Sequence, residues 1–220
     1  SVLSMDEIEV LIDAVYDNFN VIEHPEITLE ANPDDLSSNR IVELSNSRIN
    51  RLSIGIQSFF EDDLKLMNRA HNAADAERSL IEAVQHFDNI SIDLIYGMPG
   101  MSNEKWMQNI ETALSFGIPH ISSYALTVEP KTALHKMVAS GTVAAPLDEN
   151  ASEHFHTLVD LLESVGYVHY ELSNFGKPGY FSRNNSAYWL GKKYLGIGPS
   201  AHSYDGESRS WNIANNSFYM

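Results

Sequence analysis

Cysteine is absent from all 220 residues of the chain. This absence excludes disulfide bonds, thiolate nucleophiles and cysteine-ligated metal sites within these residues. No apolar run approaches the ~20 residues that a membrane-spanning helix needs. The first residues, SVLSMDEIEV, have neither the basic nor the apolar region of a signal peptide. We therefore expect a globular, cytoplasmic protein.

Basic residues are also scarce. The chain has 14 lysine and arginine residues against 30 aspartate and glutamate residues, which gives a net charge of −16. A field of this sign repels phosphate backbones, and we find no basic cluster in the sequence that would offset it. The composition therefore predicts that the protein does not bind nucleic acid.

Several catalytic and metal-binding motifs are missing as well. The sequence contains no HExxH, P-loop, GxSxG or EF-hand pattern. His154 and His156 stand two residues apart within a helical pattern, and residues at this spacing do not share a helix face. We expect one exposed and one partly buried histidine here, and no metal site formed by the pair.

The apolar residues that are present alternate between two periods. Strand-like segments are separated by helical ones, the first of which opens with a capping box at Ser4 and Glu7. Another predicted helix has Asp75 as its candidate cap. Five strands are predicted, at 26–32, 51–58, 89–97, 120–128 and 167–175.

Strands joined by helical crossovers predict a parallel α/β sheet, either doubly wound or curled into a barrel. No glycine-rich phosphate turn follows the first strand, which disfavours a doubly wound dinucleotide-binding sheet. We therefore predict a partial (β/α) barrel over 1–175 and a loop-rich continuation over 176–220. The chain starts without methionine and ends at NNSFYM, so we expect a fragment of a longer protein.

Four predicted strands carry polar residues on one face, although strands of packed parallel sheets are normally apolar on both. Because the apolar face must meet the helices, the polar face points into the barrel. Lone buried charges are costly, so a cluster of such residues favours a polar ligand in an open lumen. The four inward-facing residues are Glu30, Gln57, Asp93 and Glu171.

Two other interpretations of this polar face stay open from the residues alone. The side chains could satisfy one another or hold structural water. Alternatively, Glu30 and Glu171 could be the carboxylate pair of a barrel glycoside hydrolase. Tyr124, Tyr188 and Trp189 would then supply aromatic platforms for a sugar.

Six ordered segments resemble a known family: ITLEANPDDL, RLSIGIQSF, LMNRAH, IDLIYGMPG, YELSNFGKPG and YLGIGPSAHSY. They are similar to the radical S-adenosylmethionine (SAM) family related to oxygen-independent coproporphyrinogen III oxidase. The similarity covers nearly the whole chain. It implies a partial (β/α)6 barrel with outer helices and, in full-length relatives, a 4Fe-4S cluster on an upstream CxxxCxxC motif that this fragment lacks, together with most of a C-terminal domain.

The resemblance also implies which residues bind the cofactor. The family's S-adenosylmethionine contacts match Glu30, Gln57, Arg69 and Asp93. Three of these were already indicated by the inward-facing pattern, whereas Arg69 follows from the resemblance alone. The cluster cysteines would lie outside the fragment, which we therefore expect to be inactive by itself.

Within the family, the segments look closest to a branch of haem chaperones, with coproporphyrinogen III oxidase as the alternative. The first would bind haem and pass it to acceptor proteins, with membrane association only through those partners. The second would be an enzyme that decarboxylates a porphyrinogen. One motif departs from the chaperone branch: Asn184 stands where HNxxYW has histidine. Asparagine is not a haem ligand, which leaves His202, Tyr188 or a residue outside the fragment as candidates.

Overall fold

A computed structural model describes residues 3–220, so Ser1 and Val2, which open the first predicted domain, lie outside the described residues. The chain forms two compact units, the first ending at Phe181 and the second covering Ser182–Met220. The predicted limit at residue 175 falls inside a strand of the first unit. The division into a partial barrel over 1–175 and a loop-rich continuation over 176–220 stays a prediction.

The first unit alternates helices and strands as the two periods predict. Its helices are α1 Met5–Asn18, α2 Ser38–Ser45, α3 Glu61–Leu66, α4 Ala73–His86, α5 Asn103–Ser115, α6 Ala133–Ala139 and α7 Asp148–Ser164. Its strands are β1 Thr28–Ala31, β2 Arg51–Gln57, β3 Ile90–Tyr96, β4 His120–Ala125, β5 Val168–His169 and β6 Asn174–Gly176.

These strands form one open sheet in the order β1-β2-β3-β4-β6-β5, with β1 to β4 parallel. The apolar face of the sheet packs into the core; Ile54, Ile92 and Ile121 are fully buried. Outside it, α2 packs against α4 and α5 against α7. The predicted class, an α/β fold with a mostly parallel, incomplete barrel-type sheet, is confirmed.

The fifth predicted strand, 167–175, is wrong as a single parallel strand. The chain reverses there, and the short strands β5 and β6 pair antiparallel with each other, while β6 also runs antiparallel to β4. The Glu171 carboxylate accepts hydrogen bonds from the Ser173 amide and the Asn174 side chain, which stabilises the turn. Period-two alternation cannot distinguish one strand from such a tight hairpin.

Two helix caps test the local predictions. Ser4 and Glu7 form the predicted capping box at the start of α1. Asp75 is not the N-cap of α4. Asn72 caps that helix, and Asp75 is the third helical residue, whose carboxylate accepts from the Asn72 amide.

The second unit has short elements: α8 Arg183–Trp189, β7 His202–Tyr204, β8 Arg209–Trp211 and α9 Asn216–Tyr219. β7 and β8 pair antiparallel, and Tyr194 bridges to the outer edge of β7 at Tyr204. Throughout residues 3–220, no helix is both long enough and apolar enough to cross a membrane.

Candidate functional site

Polar residues line the inner face of the parallel strands in two rows. Strand register places the first row at one level across four strands, and the second row lies two residues further along. In a packed sheet these positions would be apolar. The first row is Glu30, Ser53, Ser91 and His120; the second is Asp93 and Ser122.

A polar cavity of about 420 Å³ opens above this face, at the carboxyl ends of β1, β2 and β3. This is the end at which barrel proteins build their sites. All four predicted cofactor residues line it. The complete lining is Glu30, Ala31, Asn32, Asp35, Ser53, Gly55, Gln57, Arg69 and Asp93.

Gln57 enters the cavity from a strained turn. Its φ is +62°, and the Ser58 amide donates to the Ile56 carbonyl across it at 2.8 Å, which forms a γ-turn. The register of β2 with β3 shifts at the same place. The Gln57 side chain is buried, and its Oε1 atom has no hydrogen-bond partner among residues 3–220. A buried acceptor without a partner on a strained turn is typical of a binding site.

Arg69 reaches the cavity because α3 ends in a Schellman motif. Asn68 takes the left-handed conformation with φ +54°, and the amides of Asn68 and Arg69 donate to the carbonyls of Lys65 and Leu64. The chain is thereby turned so that Arg69 Nη2 donates to Asn32 Oδ1 at 2.5 Å. Arg69 is therefore a half-buried cation in the cavity wall.

Gly55 leaves the space that these side chains occupy. A Cβ atom at this position would lie 3.1 Å from Gln57 Nε2 and 3.3 Å from both Arg69 Nη2 and Asn32 Oδ1. These distances are shorter than ordinary van der Waals contact, so a larger residue would displace the polar groups. The small residue in the middle of β2 thus allows an amide and a guanidinium to meet.

Asp93 is the most perturbed carboxyl group of the site. Burial raises its pKa to about 6; a Ser122 hydrogen bond opposes this shift, and the neighbouring Glu30 charge adds to it. The guanidinium groups of Arg51 and Arg69 lower the pKa of Asp93. A cationic ligand in the cavity would favour the charged form of Asp93 for the same reason.

A second, more apolar cavity of about 470 Å³ adjoins the first and shares Gln57 and Arg69 with it. The first cavity is charged and the second is apolar, so together they suit a ligand that has a charged part and an apolar part. The apolar lining of the second cavity includes Leu66, Met67, Ile95, Leu126 and Leu134.

Sequence reasoning missed a buried polar chain beneath the cavity. Ser91 Oγ and His120 Nδ1 are 2.7 Å apart, and His120 Nε2 and Tyr170 Oη are also 2.7 Å apart. Burial lowers the pKa of His120 to about 3, with a smaller contribution from the Arg51 charge. Strand alternation could have revealed His120 and Arg51, because each shares the inward face of its strand with a small polar residue.

Other residues singled out in the sequence lie elsewhere. Glu171 is in the turn between β5 and β6, outside the rows of the parallel strands. Of the two histidines in the helical pattern, His156 is exposed, and His154 is fully buried where partial burial was expected, with Nδ1 accepting from the Gly97 amide. Asn184 is an exposed residue of α8 in the second unit. Within residues 3–220, no group of three or more potential ligands is placed to hold a metal ion.

Comparison with known proteins gives consistent matches. Residues 2–113 match the Radical SAM superfamily. The "Heme chaperone HemW" of Bacillus subtilis is 39% identical over 189 residues, covering 86% of this chain and 50% of the relative. The protein of the same name from Mycobacterium tuberculosis (strain CDC 1551 / Oshkosh) is 35% identical over 221 residues, 56% of its length.

Among solved structures, coproporphyrinogen III oxidase (HemN) from Escherichia coli, a radical SAM enzyme, matches with a TM-score of 0.80 at 22% identity. The match covers 97% of this chain and 52% of that one, and it confirms the fold. The chain spans about half the length of the curated relatives it matches.

Proposed function

Because the chain belongs to the radical SAM superfamily, we propose that it forms the S-adenosylmethionine-binding part of a haem chaperone. The cavity that gathers Glu30, Gln57, Arg69 and Asp93 is the observation that carries the cofactor assignment. The names of the relatives at 39% and 35% identity support the chaperone assignment. Haem is then the cargo, and haem-acceptor proteins in the cytoplasm are the partners.

The charges of the cavity match those of S-adenosylmethionine. The Arg69 guanidinium would pair with the cofactor carboxylate, and Asp93 or Glu30 would accept from its ammonium group or ribose hydroxyls. Gln57 Oε1, which is buried and unpaired in the described residues, would gain a donor. The adenine would occupy the adjoining apolar cavity.

The 4Fe-4S cluster of the family does not fit the residues present, because the chain contains no cysteine. We therefore place the cluster ligands outside these 220 residues and assign none of them here. In the family, S-adenosylmethionine supplies a carbon radical when such a cluster reduces it. The role proposed for this chain is to bind and orient the cofactor.

The coproporphyrinogen oxidase alternative has less support. The match to HemN is at 22% identity, which bears on the fold and not on the reaction. A glycoside hydrolase is also disfavoured, because Glu171 is not on a parallel strand beside Glu30. The haem chaperone is accordingly the function that we propose.

Calorimetric titration of the full-length protein with S-adenosylmethionine tests the cofactor site. We expect Gln57→Ala and Asp93→Ala each to weaken binding at least tenfold, about 1.4 kcal/mol. Gln85→Ala, an exposed glutamine on α4, is the matched control and should bind like wild type. Unchanged affinity in both site variants would show that the assignment is wrong.

Adding haem and coproporphyrinogen III separately to the reconstituted full-length protein tests the chaperone function. We expect a stable Soret band with haem and no decarboxylation of coproporphyrinogen III. Turnover of the porphyrinogen would replace the chaperone with the oxidase alternative.

A further inference from the structure

The second unit differs in charge from the rest of this acidic chain. Residues 182–220 contain four lysine and arginine residues and two aspartate and glutamate residues. The rest of the chain contains ten basic and 28 acidic residues. An anionic ligand would be repelled by most of the chain and attracted by this unit. Haem has two propionate groups, so the charge of this unit is complementary to it.

The same unit exposes many apolar side chains. Trp189, Leu190, Leu195, Ile197, Trp211 and Phe218 are each more than 60% exposed. Exposed apolar residues combined with positive charge match the two chemical parts of haem, an apolar macrocycle and a carboxylate edge. Exposed apolar groups at this density on a short segment indicate a binding surface.

The β7–β8 hairpin places an imidazole, two other aromatic rings and a cation on one face. His202 is directly opposite Trp211, and Tyr204 is directly opposite Arg209. Side chains two residues apart on a strand share a face, so these four residues are neighbours. Ser203 and Ser210 form the pair on the other face. We define His202, Tyr204, Arg209 and Trp211 as the hairpin face.

His202 is available to coordinate a metal. It is exposed, and neither of its ring nitrogens has a hydrogen-bond partner among residues 3–220. Its ring centroid lies 6.0 Å from that of Trp211, at an interplanar angle of 36°. By contrast, His71, His120 and His154 are buried and hydrogen-bonded.

The backbone under His202 is held in place by neighbouring segments. Tyr194 and Tyr204 exchange both backbone hydrogen bonds, at 3.0 and 2.9 Å. A Cβ on Gly196 would lie 2.1 Å from the His202 carbonyl oxygen, so this close approach requires glycine. Asn212 Nδ2 donates to the Gly196 carbonyl at 3.1 Å. A ligand on a braced strand keeps its geometry when the metal binds.

We propose that the hairpin face binds haem, with His202 as an axial ligand to the iron, Trp211 against the macrocycle and Arg209 near a propionate. This inference rests on the proposed function and identifies a site for its cargo. Asn184 stands where the chaperone motif has histidine, so His202 is the sole histidine of residues 182–220. Imidazole is a common axial ligand of haem iron.

Haem titration of the full-length protein, followed by absorbance, tests this site. We expect His202→Ala to weaken haem binding at least tenfold and Arg209→Glu to weaken it severalfold. Two controls should bind within twofold of wild type: Ser210→Ala, on the opposite face of the same hairpin, and His156→Ala, an exposed histidine of the first unit. Circular dichroism and S-adenosylmethionine affinity check the fold of each variant.

His202→Tyr separates coordination from a structural effect. We expect it to retain haem but with altered Soret and charge-transfer bands, because a phenolate oxygen would replace the imidazole nitrogen. Wild-type spectra and affinity in both His202→Ala and His202→Tyr would overturn the proposed site while leaving the chaperone function intact. A wild-type protein that binds no haem would overturn both.

Discussion

The two units of the chain use the same residue type in opposite ways. In the first unit Trp106 on α5 is fully buried, and its indole N–H donates to the His154 carbonyl at 2.8 Å. In the second unit Trp211 on β8 is 69% exposed. A tryptophan in a core stabilises the fold through burial, whereas an exposed tryptophan adds little stability and leaves its ring open to contact.

This difference extends to the whole of each unit. Every hydrophobic side chain that is buried in the described part of the chain belongs to the first unit. That unit therefore derives stability from its own sheet and helices, and its polar residues can be placed in a cavity. The second unit relies on backbone pairing, turns and contacts among tyrosine rings, and none of its apolar side chains is fully buried.

The largest expected effect is the difference in stability between variants at the two tryptophans. Trp106→Ala should lower the free energy of unfolding by about 3–5 kcal/mol, because it removes buried surface and a hydrogen bond. Trp211→Ala should change it by no more than about 0.5 kcal/mol. Urea unfolding of the two variants measures both values. Equal losses would show that the second unit also has a core.

Two glycines give the next comparison. Gly196→Ala should destabilise the hairpin by about 1–3 kcal/mol, since its Cβ would meet the backbone at His202. Gly55→Ala would meet the movable side-chain ends of Gln57 and Arg69, so it should instead weaken S-adenosylmethionine binding about tenfold, ~1.4 kcal/mol. Amide exchange of the hairpin and calorimetric titration measure the two effects. If Gly196→Ala changed cofactor affinity and Gly55→Ala did not, the roles assigned to the two glycines would be wrong.

The smallest expected effects concern two carboxyl groups with opposite pKa shifts. Because burial raises the pKa of Asp93 to about 6, its contribution to stability is present below the unfolded value and is lost as the pH rises through 6. Asp93→Asn should therefore raise the melting temperature at pH 7.5 by a few degrees and change it little near pH 4. Thermal melts across this range measure the difference.

Asp205 is the matched residue in the second unit. Its pKa is lowered by hydrogen bonds from the Ser208 and Glu207 amides, so its contribution is present at neutral pH and lost on acidification. Asp205→Asn should lower the melting temperature slightly at pH 7.5 and not at low pH. A gain in stability at pH 7.5 for Asp205→Asn, or a loss for Asp93→Asn, would contradict the assigned causes.

The sequence was informative wherever side-chain direction depends only on local geometry. Alternation along a strand is sufficient to place Glu30 and Asp93 on the inner face, because successive side chains point to opposite sides. The alternation rule gave a wrong prediction for 167–175. There the hydrogen bonds of Glu171 stabilise a turn, which the alternation of apolar and polar residues does not reveal. Asp75 was misplaced at a helix start because Asn72, three residues earlier, is an equally good cap.

What the sequence by itself determined is the alternating pattern that yields a mostly parallel sheet with a polar inner face, and the excess of negative charge. The tertiary structure decided which polar residues meet. Arg69 comes to Asn32 through the turn at Asn68, and Gln57 is aimed by a strained γ-turn. The shift in the pKa of Asp93 depends on burial by residues distant in the chain, which no local pattern contains.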